Sequence, residues 1–98
     1  MQRITPDTEA LKAFCRRHHI RKFSFFGSIL REDFTGDSDV DVLVEFEPGH
    51  TPGPVFFSME KELSGLMGRK VDLNTIGFLS HFFRDQILAE AEPQYVAP

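Results

Sequence analysis

The stretch Phe25-Phe26-Gly27-Ser28-Ile29-Leu30-Arg31-Glu32-Asp33-Phe34-Thr35-Gly36-Asp37-Ser38-Asp39-Val40-Asp41-Val42-Leu43-Val44 decides how this chain is read. It spells a strand, a Gly-Ser turn, a short helix from Ile29 to Phe34, a polar turn at Thr35-Gly36-Asp37-Ser38 and a second strand from Asp39 to Phe46. Alternate strand residues share a face. Asp39, Asp41, Leu43 and Glu45 therefore point one way, and Val40, Val42, Val44 and Phe46 the other. Positions two apart lie roughly 6.5–7 Å apart along a strand, so the carboxylates of Asp39 and Asp41 can converge on metal ions between them. Glu45 shares their face but lies about 13 Å beyond Asp41, outside such a cage. Asp37 has the right parity but belongs to the turn, which gives it a supporting role at most.

Before this stretch, Thr5-Pro6-Asp7 is a helix start: Thr5 caps, Pro6 suits the first helical position and Asp7 complements the dipole. Leu11, Phe14, Cys15 and His18 then mark one apolar face. Arg16, Arg17, His18 and His19 fill the last turn, where cations suit the negative end. Arg21 to Phe26 reads as the first strand, with Phe23 and Phe25 on one face. After it, Glu47 to Pro54 is a loop whose prolines and glycines admit neither strand nor helix. Val55, Phe56, Met59, Leu63, Leu66 and Met67 recur at helical spacing, and Gly68 closes that helix. Arg69 to Leu73 reads as a short third strand and Asn74 to Gly77 as a turn. Phe78, Leu79, Phe82, Phe83, Ile87 and Leu88 form a broad apolar stripe on a final helix, wide enough to cover the sheet or to meet a partner chain. Glu90 to Pro98 reads as a tail. The alternation predicts an α/β (α+β) fold, a small mixed sheet packed by helices.

The 98 residues predict one domain over 1–98. Hydrophobic content of 41%, including 11 Phe, predicts a packed core. The net charge of -4 weighs against direct nucleic-acid binding, which needs clustered cations. A single cysteine, Cys15, excludes an internal disulfide and is read as a small core residue. There is no apolar run of about 20 residues for a membrane span and no apolar leader, so a cytoplasmic protein without a membrane role is expected.

The chemistry lies in a conjunction. Asp72 sits in the short third strand between Val71 and Leu73, which point to the opposite face. It is the third carboxylate for a site begun by Asp39 and Asp41. Mg²⁺ prefers carboxylate and phosphate oxygens. Without metal, three such carboxylates repel one another and raise each other's pKa. Gly27 lets backbone approach a phosphate closely, and the Ser28 hydroxyl with the amides that follow can donate to its oxygens. Arg31, one turn on, can add a charge-assisted donor. A Gly-Ser turn or an Asp-x-Asp is common alone. Strand, Gly-Ser, ten residues, Asp-x-Asp and a later strand Asp together are far more specific than any one of them, and are read as a metal-dependent nucleotidyl-transfer site.

At these residues the chain resembles the DNA polymerase β-like nucleotidyltransferase superfamily. Phe26-Gly27-Ser28-x-x-Arg31, Ser38 to Phe46 and Gly68 to Leu73 resemble its minimal nucleotidyltransferase (MNT) branch of antitoxins. The resemblance covers roughly residues 10 to 96 and implies the polymerase β-like fold. It implies that Asp39 and Asp41 bind two Mg²⁺, that Asp72 helps activate the attacking hydroxyl, and that Gly27 and Ser28 hold the triphosphate of ATP. It further implies transfer of AMP to a tyrosine hydroxyl of a HEPN-domain toxin that the chain silences as antitoxin. Glu32 departs from the small residue usual after Arg31 in the family. Two alternatives stand beside this reading: a catalytically weak antitoxin that acts by binding alone, and a small-molecule nucleotidyltransferase. The short chain offers no acceptor pocket for the latter.

Overall fold

Apolar alternation in three segments of the chain builds a sheet, and a fourth strand completes it. The computed structural model describes residues 8–31, 38–79 and 82–98, the side chain of Phe78 excepted. The helix start expected at Thr5-Pro6-Asp7 and the segment Glu32 to Asp37 lie outside the described residues. The elements are α1 (Thr8–Arg17), β1 (Ile20–Phe26), a 3-10 turn (Gly27–Leu30), β2 (Val40–Phe46), α2 (Val55–Met67), β3 (Val71–Thr75), a second 3-10 turn (Ile76–Phe78), α3 (Arg84–Glu90) and β4 (Glu92–Val96).

The sheet runs β3-β2-β1-β4. β1 is antiparallel to both β2 and β4, while β2 and β3 are parallel. This is the small mixed sheet expected. The parallel pair needs a crossover, and α2 supplies it, closed by Gly68 in the left-handed region (φ 69°). α1 ends before His19, which takes φ 57° and turns the chain into β1.

The core lies on one side of the sheet. Phe23, Phe25, Val40, Val42, Val44, Val71 and Leu73 meet Leu11, Phe14 and Cys15 of α1 and Phe56, Met59, Leu63 and Met67 of α2. Phe14 and Phe23 are fully buried, and each such side chain stabilises by about 2–3 kcal/mol. Cys15 is buried with them, and desolvation pushes its thiol up to about 12. It is a packing residue, as read.

Five expectations need correction. The short helix expected from Ile29 to Phe34 is instead the 3-10 turn Gly27–Leu30, and Arg31 is already extended (φ -113°, ψ 160°). The third strand is Val71–Thr75, so Asn74 and Thr75 belong to it and not to a turn. Val55, at the first helical position of α2, is 49% exposed and not part of its buried face. The final helix does not run from Phe78 to Leu88. Leu79 is extended (φ -75°, ψ 142°) and ends the second 3-10 turn, and the helix begins only at Arg84. Its stripe is split accordingly: Leu79 is buried, whereas Phe82 (88%) and Phe83 (57%) are exposed. The tail is also no tail. Glu92 to Val96 pairs with β1, with Phe23 opposite Tyr95 and Ser24 opposite Pro93, leaving Gln94 as the bulged residue. Tyr95 packs against the core. Pro93 is tolerated because β4 is an edge strand, where a missing donor is harmless.

Candidate active site

The strand-turn-strand unit brings its polar residues together at one end of the sheet. Asp41 is registered opposite Phe26 on β1 and opposite Asp72 on β3. The chain leaves β1 at Phe26 and turns at once through Gly27, whose φ of +74° is the left-handed conformation that glycine adopts freely. A side chain at Gly27 would overlap Oδ2 of Asp41 and stand 3.2 Å from its Cγ. The absence of a Cβ is therefore what lets the turn and the carboxylate share this space.

Asp39 lies one residue before β2, and its carboxylate faces Lys70 Nζ at 3.7 Å. Both groups are largely solvated, so the pair adds little stability. Its consequence is local: a cation stands where the acidic end of the sheet is densest. Ser28 Oγ donates to the Asp39 carbonyl at 3.5 Å, and the Ser28 backbone N–H donates to the Asp41 carboxylate. Both Ser28 donors are thus turned toward the aspartates here. Glu45, set aside on distance, is engaged elsewhere: it accepts from Arg21 at 2.9 Å.

The electrostatics of Asp41 report how closely these groups are gathered. Its pKa is raised, first by burial, then by the negative charges of Asp72 and Asp39. The Ser28 N–H and the Arg31 guanidinium pull it the other way. Four of the six residues singled out in the sequence, Ser28, Arg31, Asp39 and Asp72, thus act directly on a fifth, Asp41, and Gly27 makes room for it. The donor set is all carboxylate oxygen, which suits a hard divalent cation. Among the described residues no three His, Cys, Asp or Glu side chains close on a single point.

Beyond the Gly27 turn, a cavity of about 260 Å³ opens, lined by Phe26, Arg31, Phe83, Gln86 and Ile87. Another cavity, about 370 Å³, lies at the other end of the sheet beside Val44 and Thr75 and is lined by none of these carboxylates. Among the described residues no helix is long and apolar enough to cross a membrane. Sequence reasoning gave no role to Lys70, or to Glu60 and Ser64 of α2, which bond to β3 around Asp72. No sequence signal marks the last two, because their part depends on how the helix lies on the strand.

Known proteins resemble this chain in sequence and in fold. The description "Nucleotidyltransferase domain" matches residues 8–92. A protein of Methanocaldococcus jannaschii named "Putative protein adenylyltransferase" is 33% identical over 75 residues, spanning 76% of this chain and 80% of that protein. A solved structure described as a "putative minimal nucleotidyltransferase" superposes with a TM-score of 0.72 at 37% identity, covering 88% of this chain and 87% of that one. An MNT antitoxin in complex with a tri-AMPylated HEPN toxin from Shewanella oneidensis has a TM-score of 0.65 at 16% identity, covering 92% and 70%. At that identity the likeness is one of fold.

Proposed function

The chain belongs to the nucleotidyltransferase domain family, with minimal protein adenylyltransferases among its relatives, and from that membership we propose that it transfers AMP from ATP to a hydroxyl of a partner HEPN-domain toxin, a tyrosine by preference, and so acts as the toxin's antitoxin. The observation that carries the reading is the registered pair Asp41 and Asp72, with Asp39 beside them and the Gly27 turn packed against Asp41. The neighbouring complex of an MNT antitoxin with an AMPylated HEPN toxin supports the choice of partner.

Each residue has a distinct task. Asp39 and Asp41 would hold Mg²⁺, two ions in the full arrangement, with Asp72 completing the acidic wall. Bound there, the cations supply neutralisation of the triphosphate and stabilisation of charge at the α-phosphorus. Arg31 sits close enough to act on Asp41, and from there it reaches phosphate oxygens as a charge-assisted donor. Gly27 and Ser28 form the floor under the triphosphate. Ser28 then exchanges its internal bonds to Asp39 and Asp41 for bonds to phosphate. The acceptor hydroxyl approaches from the β3 side, where Asp72 takes up its proton. Pyrophosphate departs on the opposite side, toward Gly27 and Arg31. In-line displacement requires this separation of entering and leaving oxygens, and the placing of Asp72 on β3 and the Gly27 turn after β1, on either side of β2, is consistent with it.

Co-expression of a HEPN-domain toxin with wild type and with Asp39→Ala/Asp41→Ala tests the role. Rescue of growth by wild type alone, with the complex still forming in the variant, is expected. Equal rescue by both would show neutralisation by contact, the binding-only alternative.

A further inference from the structure

Two side chains of α2 grip the outer edge of β3 on either side of Asp72. Among the described residues β3 is an edge strand, with β2 on one flank and no strand on the other. On the open flank, the Val71 N–H donates to Ser64 Oγ at 3.0 Å and the Leu73 N–H donates to Glu60 Oε2 at 2.8 Å. Ser64 and Glu60 are one helical turn apart, about 6 Å of rise. Val71 and Leu73 are two strand positions apart, about 6.6 Å. The two spacings match, so each acceptor meets one amide and helix and strand hold a single register. The Ser64 hydroxyl is used at both ends, for it also donates to the Glu60 carbonyl at 2.9 Å.

We propose that Glu60 and Ser64 are positioning residues for Asp72. They act on the site only through β3, and the proposal rests on the reading of Asp72 as the carboxylate that serves the acceptor hydroxyl. An edge strand paired on one side alone is free to fray or slip. A slip of one residue would turn Asp72 from the site face to the core face and bring an apolar neighbour in its place. The clamp prevents this at the two amides flanking Asp72 while leaving its own side chain free. The opposite wall of the site, Gly27 to Arg31, belongs to the β1 side and does not depend on the clamp.

The test compares Glu60→Ala, Glu60→Gln and Ser64→Ala in the full chain. The readouts are amide hydrogen exchange at Val71 and Leu73, and kcat and KM for ATP in transfer of α-labelled AMP to a co-expressed HEPN-domain protein. Glu60→Ala is expected to lose protection at Leu73 and to lower kcat about tenfold or more, the scale for loss of a supporting hydrogen bond at a site. KM for ATP should stay unchanged. Glu60→Gln should retain both, because its amide oxygen accepts the same bond. Ser64→Ala should show the same split through Val71 and serves if Glu60→Ala does not fold. Wild-type kcat in Glu60→Ala, or a loss in Glu60→Gln as deep as in Glu60→Ala, overturns the proposal. A wild-type chain that transfers no AMP overturns the functional reading instead, and is told apart because exchange at Val71 and Leu73 is read without the reaction.

Discussion

Asp41 on β2 and Asp72 on β3 stand as direct partners across a parallel strand pair. Both are carboxylates, and their proximity, with that of Asp39, adds to burial in raising the Asp41 pKa. A protein optimised only for stability would not place like charges on one rung. The arrangement makes sense when a cation shares it.

The first prediction concerns stability against pH. The folded pKa of Asp41 lies above its ordinary value of 3.8, so across the window from about that value up to the raised one the folded state binds more protons than the unfolded state. Stability therefore falls as pH rises through the window and stays lower above it. Asp41→Asn removes the charge. The variant should be more stable than wild type at neutral pH by up to about 1 kcal/mol, the scale of a cross-strand pair. The advantage should vanish in acid, where Asp41 is protonated in both states. Urea denaturation of the metal-free protein at several pH values checks it, and a wild type more stable than the variant at neutral pH contradicts it.

Gly27→Ala tests the turn. The new methyl meets a backbone at φ +74° and the Asp41 carboxylate at once. The left-handed conformation alone costs about 1–2 kcal/mol. Displacement of Asp41 or of the turn should lower AMP transfer by about 10²-fold, as small misplacements at reacting centres do. Thermal unfolding together with turnover checks both parts. A loss of stability with full activity would mean that Asp41 and the turn are not one functional unit.

Tyr95→Ala tests β4. Tyr95 packs on the core from an edge strand opposite Phe23. Its truncation should cost about 2–4 kcal/mol, somewhat below the cost of removing a fully buried aromatic because Tyr95 is only partly buried. Deleting the chain from Glu92 onward should go further and leave β1 as an open, apolar edge that self-associates. Denaturation midpoints and size-exclusion chromatography measure the two effects.

Strand β1, the Gly27 turn, strand β2 and the carboxylates at its start were legible because their signals are local: period-two alternation, a glycine at a turn, and fixed parity between Asp39 and Asp41. Asp72 was legible for the same reason, since Val71 and Leu73 declare its face. β4 was not legible, because Pro93 argues against a strand in any reading that cannot see an edge. The extent of α3 was not legible because Leu79, Phe82 and Phe83 keep helical spacing, although Leu79 is extended and the helix begins only at Arg84. The grip of Glu60 and Ser64 on β3 had no local signal at all. It exists only once α2 has been laid along the strand.

Transfer of label from α-labelled ATP, with Mg²⁺, to a HEPN-domain protein co-expressed with this chain tests the central claim most directly. The account predicts labelled partner with wild type and none with Asp41→Ala, although the variant still folds and binds the partner. Labelling by Asp41→Ala equal to that by wild type, or an unlabelled partner in both, would contradict it.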